Sequence, residues 1–150
     1  MLLVDENDDF LDGLTEWLTG DAAFQLAGKA RSGREALEQV ERLAPDLVLM
    51  DAALPGVNGF EVTRQIRSRP DAPLIVLLTF YESSAARREA LAVGADGFVC
   101  KAEIAQKLMP VVQGLIRQRR EAAAARPSKR DEKLRNLSTE RPGPPPDLSK

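Results

Sequence analysis

Histidine is absent from these 150 residues, and cysteine occurs once, at Cys100. Without histidine there is no imidazole acid–base catalysis, no Ser-His-Asp triad and no ordinary zinc site. A metal here would be held by oxygens, which favours magnesium, manganese or calcium. One cysteine excludes an internal disulfide and fits a reducing compartment. No apolar run is long enough to cross a bilayer, and no secretory leader pattern precedes the strand-like Leu2-Leu3-Val4. Neither GxGxxG nor a Walker motif is present, which argues against a nucleotide-binding fold. These absences predict a soluble cytoplasmic domain without zinc, thiol or dinucleotide chemistry.

What is present suffices for one domain of ordinary size: 43% hydrophobic and 29% charged residues. The net charge of −2 hides an asymmetry. Residues 1–116 carry 18 acidic and 11 basic side chains, whereas residues 117–150 carry 5 and 10. An acidic body with a basic tail does not suggest a nucleic-acid-binding domain. The EAAAAR stretch from Glu121 could extend the last helix, but residues 126–150 hold almost no apolar periodicity and end in a proline cluster, so 121–150 are expected to be a basic tail or linker, disordered from about 126, beside a domain over 1–120.

The body alternates strand and helix patterns. Apolar strand-like runs occupy Leu2–Val4, Phe24–Ala30, residues 47–50, Leu74–Leu78 and Gly97–Cys100. Between them, Asn7, Asp8 or Asp9 caps a helix with Phe10, Leu14, Trp17 and Leu18 on its apolar face. Ser32 opens a second helix, with Glu35 completing a capping box and Pro45 stopping it. Asn58 to Ser68 and Ser83 to Val93 read as the third and fourth helices, the latter closed by Gly94. The last runs from about Glu103 to at least Arg120, with Pro110 expected in a first turn or at a kink. Strict alternation predicts an α/β fold, a doubly wound five-stranded parallel sheet with helices on both faces.

Four strands end on polar residues: the first on Asp5 and Glu6, the third on Asp51, the fourth on Thr79 and the fifth on Lys101. In such a sheet, chemistry collects at the carboxyl ends of the strands. Converging carboxylates repel, since two like charges ~4 Å apart cost about 4 kcal/mol at an effective dielectric of about 20. A hard divalent cation relieves this, and magnesium accepts one or two carboxylates together with water and phosphate oxygens. With Lys101 and Thr79 nearby, the set suits a phosphoryl group, and Asp51 becomes a carboxylate nucleophile. A phosphatase with an Asp nucleophile uses a second Asp two residues later as general acid; here that position is Ala53.

The segments VDE, DLVLMDAALPGVNGFE, VLLTF and GADGFVCK, in this order over about residues 1–118, resemble the receiver domain of two-component response regulators. They are most similar to the receivers of LuxR/NarL-like transcription factors that carry a helix-turn-helix. The resemblance implies the flavodoxin-like strand order 2-1-3-4-5. It implies Asp51 as phosphoacceptor, with Mg2+ held by Asp5, Glu6, Asp51 and the backbone carbonyl of Ala53. Thr79 and Lys101 match the family's hydroxyl and lysine, and Phe98 its aromatic switch. The implied phosphodonor is a sensor histidine kinase. The implied output is a change in the surface of the fourth helix, fifth strand and fifth helix, controlling a partner, a homodimer or transcription. The implied chemistry is limited to the protein's own phosphorylation and dephosphorylation.

Two positions depart from the usual pattern: Glu6 replaces a commoner second Asp, and Ala102 stands where many relatives have a cis-proline. No helix-turn-helix pattern follows within the 150 residues. A degenerate receiver that works as a phosphorylation-independent interaction module stays open as an alternative.

Overall fold

Leu47-Val48-Leu49-Met50 has no polar residue with which to face water, and it forms the buried part of a strand, β3 (Leu47–Asp51). Only its last residue, Asp51, emerges from full burial. The computed structural model describes residues 1–125 and surrounds this strand with β1 (Leu2–Val4), β2 (Gly28–Ala30), β4 (Leu74–Thr79) and β5 (Gly97–Cys100). All pairings are parallel, in the order β2-β1-β3-β4-β5. The register aligns Val4 with Met50, Asp51 with Leu78 and Thr79 with Cys100, so the strand ends lie along one edge. The α/β fold expected from the alternation is the one observed.

Helices α1 (Asp8–Thr19), α2 (Gly33–Leu43), α3 (Gly59–Arg67), α4 (Ser84–Ala92) and α5 (Ile104–Ala125) connect and follow the strands. One face of the sheet packs Leu2, Val4, Met50 and Leu77 against Ala36 and Val40 of α2, Val62 and Ile66 of α3 and Ala90 of α4. Strand side chains alternate between faces, so Leu3, Leu49, Val76 and Leu78 point the other way. A right-handed crossover from β1 to β2 puts α1 on that side, and α5 lies there too, since a Cβ at Gly97 would meet Val76, Val111 and Leu115. There Leu11, Leu14, Leu18, Leu108 and Val112 are buried. A leucine so buried stabilises the fold by about 1.5–3 kcal/mol. Residues Met1–Leu115 form one compact unit; of the second, which starts at Ile116, residues 116–125 are described and are helical. Of the tail expected at 121–150, residues 121–125 instead continue α5, and the rest lies outside the described residues.

Local chemistry sets the helix boundaries. Asn7, Ser32, Asn58 and Ser83 each accept a backbone N–H three residues on, from Phe10, Glu35, Glu61 and Ala86. The Glu35 carboxylate reaches back to the Arg31 N–H, one residue before the cap. Gly94 takes φ +90° after α4, with Ala95 N–H bonded to the Ala90 carbonyl and Gly94 N–H to that of Leu91. This is a Schellman ending, which a side chain at Gly94 would strain.

Two expectations need correction, and for Pro110 the first-turn alternative falls. The second strand covers Gly28–Ala30 rather than Phe24–Ala30, because its partner β1 is three residues long; Phe24 is buried ahead of it. Trp17 is 42% exposed, and Leu11 holds the inward position instead, completing a Leu11, Leu14, Leu18 stripe. Pro110 lies inside α5, beyond its first turn, and has no N–H to offer the Gln106 carbonyl.

Candidate functional site

Asp5 follows β1 and is 1% exposed. Its backbone N–H still bonds the Ala30 carbonyl, 3.0 Å away, while its Oδ1 accepts the Asn7 N–H at 2.9 Å. That leaves Oδ2, and Lys101 Nζ donates to it at 2.5 Å. Asp51 has the same arrangement one strand away: Oδ1 accepts the Ala53 N–H at 2.9 Å, and Oδ2 receives Lys101 Nζ at 3.0 Å. The loop behind Asp51 is held by Ala52, whose N–H bonds the Leu78 carbonyl and whose carbonyl accepts the Gly59 N–H. A Cβ at Gly59 would lie 2.4 Å from the Asp51 carbonyl oxygen, so β3 and α3 can approach this closely only with glycine there.

Lys101 begins a short 3-10 turn, Lys101–Glu103, directly after β5. Every peptide bond among the described residues is trans, including the one joining Lys101 to Ala102. The Lys101 side chain is 3% exposed, and a buried ammonium needs a charge partner. It has two carboxylates, whose mutual repulsion it offsets. Among the described residues, no buried side-chain nitrogen or oxygen lacks a partner.

Thr79 is buried at the end of β4, and its hydroxyl accepts the Tyr81 N–H at 3.1 Å. It faces its own loop rather than the carboxylates. Phe98 is half-buried on β5 against the core, with the Arg87 guanidinium carbon 5.4 Å from its ring centroid; Arg87 is also paired with Glu82. Glu6 is exposed, and the carboxylate oxygens of Asp5, Glu6 and Asp51 do not form a set within 4.8 Å of one another. Ala53 is exposed, its N–H held by Asp51.

The structure therefore brings Asp5, Asp51 and Lys101 into contact, sets Thr79 at the next strand end, and leaves Glu6 and Phe98 further out. The carboxylate oxygens of Asp5 and Asp51, which Lys101 bridges, are of the donor class that a hard divalent cation such as magnesium takes. Two residues to which the sequence reading gave no site role join the site: Phe10, expected only on the apolar face of the first helix, and Phe80, with ring centroids 4.3 and 4.8 Å from Lys101 Nζ. The signal was present, an aromatic directly after Thr79 and another in the first turn of α1. Aromatic residues default to core packing, which masked it.

The chain is similar to known proteins over most of the described residues. A family model described as the response regulator receiver domain matches residues 1–113. Response regulator GacA of Pseudomonas viridiflava is 37% identical over 119 residues, 76% of this chain and 55% of the relative. The crystal structure of a LuxR-family two-component response regulator from Aurantimonas is 31% identical with a TM-score of 0.68. That match covers 75% of this chain and 84% of that one. The signal receiver domain of the response regulator NarL from Mycobacterium tuberculosis is 26% identical with a TM-score of 0.69, covering 83% and 95%. The chain spans about half the length of the curated relatives it matches.

Proposed function

The chain belongs to the response regulator receiver domain family, and from that membership we propose that Asp51 accepts a phosphoryl group from a sensor histidine kinase. The observation that carries the proposal is Lys101 Nζ donating to both Asp5 and Asp51, three residues supplied by three separate strand ends. An ammonium so placed neutralises charge on the nucleophile and on the incoming oxygens.

In the transfer, an Asp51 carboxylate oxygen attacks phosphorus. The bond from phosphorus to the donor imidazole nitrogen breaks as the new P–O bond forms. The imidazole keeps the electron pair and takes a proton from solvent. Lys101 then donates to a phosphoryl oxygen, and Thr79 exchanges the Tyr81 N–H for a hydrogen bond to another. Magnesium, held by Asp5, Asp51, the Ala53 carbonyl and Glu6 through water, would supply neutralisation of phosphoryl charge.

The same exchange makes the switch. Turning Thr79 inward removes the acceptor of the Tyr81 N–H, so the loop between β4 and α4 rearranges. Phe98 turns into the vacated space and leaves Arg87. Shifting such an equilibrium from 1:99 to 99:1 takes about 5.5 kcal/mol. Hydrogen bonds to a charged group supply roughly 1.5–3 kcal/mol each, so Thr79 and Lys101 together are of the right size.

The output surface in this reading is α4, β5 and α5, acting on a partner, a second copy of the chain, or transcription through a DNA-binding domain. Residues 1–120 serve as the receiver and 121–150 as a linker, in the cytoplasm; no helix among the described residues is long and apolar enough to cross a membrane. Incubation with acetyl phosphate and magnesium should add one phosphoryl group by intact mass. An unmodified wild type, or an equal gain in Asp51→Asn, refutes the assignment.

A further inference from the structure

Lys101 does not rest on carboxylates alone. Its ammonium also lies over two aromatic rings, Phe10 at 4.3 Å and Phe80 at 4.8 Å from the centroids. The rings come from different elements, one from the first turn of α1 and the other from the residue after β4. Phe80 is 67% exposed, so core burial does not account for its position. What the position offers is the negative face of the ring to a cation, an attraction that strengthens when the cation is desolvated. The Lys101 side chain, 3% exposed, meets that condition.

A ring face differs from a carboxylate in one respect that matters for the reaction. The oxygens of Asp5 and Asp51 acquire new partners when a divalent cation binds and a phosphoryl group arrives. The π faces acquire none, so they hold the ammonium while the carboxylate oxygens change partners, before Thr79 turns and the loop after β4 rearranges. We propose that Phe10 and Phe80 are positioning residues, a two-ring seat that keeps the Lys101 ammonium beside Asp51 during phosphoryl transfer; this rests on the reading of Asp51 as acceptor. Phe80 acts through Lys101 and needs no contact with the phosphoryl group.

The test uses the full chain with acetyl phosphate and magnesium, following the rate of phosphoryl gain by intact mass as the donor is varied. Phe80→Leu keeps apolar cover but loses the ring; Phe80→Tyr keeps the ring. The seat predicts that Phe80→Leu and Phe10→Leu lower the maximal rate by about 2-fold to 30-fold, the span that cation–π energies correspond to. The half-saturating donor concentration stays unchanged, and Phe80→Tyr retains the wild-type rate. In parallel, the Lys101 ε-methylene proton resonance, shifted upfield by ring currents, moves downfield in Phe80→Leu.

A Phe80→Leu variant with the wild-type rate and an unmoved resonance overturns the seat. So does a faster Phe80→Leu, which would make Phe80 a lid limiting access. A wild type that takes no phosphoryl group overturns the acceptor reading instead. The Lys101 resonance separates the two failures, since it reports the seat whether or not Asp51 reacts.

Discussion

The Lys101 ammonium and the Asp5 carboxylate meet at 2.5 Å although 96 positions separate them in the chain, and neither side chain is more than 3% exposed. The contact closes the sheet edge across β1, β3 and β5, because the same nitrogen reaches Asp51. Burying three charges is costly, and only their mutual pairing makes it tolerable. The site is accordingly a stability element as well as a chemical one.

Replacing Lys101 with Met keeps the aliphatic stem and removes the charge. Asp5 is then buried against Asp51 with no cation between them. The expected loss of stability is about 3–5 kcal/mol, the range for breaking a buried pair from one side, read by urea denaturation without magnesium. A midpoint unchanged from wild type would show that the triad is not charge-balanced by Lys101.

Magnesium and Lys101 draw on the same carboxylate oxygens, so removing the lysine should favour the metal. We expect Lys101→Met to bind magnesium about tenfold more tightly, a difference of about 1.4 kcal/mol. Asp5→Asn, which deletes a ligand charge, should bind it much more weakly. Calorimetric titration of both variants decides this; equal affinities in all three proteins would remove Asp5 from the metal site.

Gly59 supports the site from behind. Its Cβ would fall 2.4 Å from the Asp51 carbonyl oxygen and 2.9 Å from the Ala52 Cα, both backbone atoms that cannot swing aside. Gly59→Ala should therefore cost about 1–3 kcal/mol, the usual penalty of overpacking, and should slow phosphoryl uptake by shifting Asp51. Chemical denaturation measures the first and intact mass the second. Wild-type behaviour in both would mean that β3 and α3 can separate freely.

Much of this was legible in the chain itself. The all-apolar runs of β3 and β4 declare burial on both faces, and polar residues closing four strands mark the edge where Asp5, Asp51, Thr79 and Lys101 lie. Helix caps at Asn7, Ser32, Asn58 and Ser83 are local and read directly. The misreadings were not local. Trp17 and Leu11 both fit a helical period, and only the position of the sheet decides which turns inward. The short β2 depends on the length of its partner. That Lys101 bridges both carboxylates while Thr79 faces Tyr81 depends on side-chain directions, which spacing does not encode.

Thr79 connects the chemistry to the surface, and its present bond shows how. Its hydroxyl accepts the Tyr81 N–H at 3.1 Å, so the backbone after β4 is tied to the side chain that the phosphoryl group would claim. Thr79→Ala removes this tie with a loss of about 0.5–1.5 kcal/mol. The nucleophile and Lys101 remain, so Asp51 should still gain one phosphoryl group by intact mass. What should disappear is the response of the loop. In wild type, acetyl phosphate with magnesium should change amide hydrogen exchange over residues 80–82; in Thr79→Ala the exchange there should be fast both before and after phosphorylation. If the variant shows the wild-type change, the signal leaves Asp51 by another route, and Thr79 is a structural residue of β4 rather than its switch.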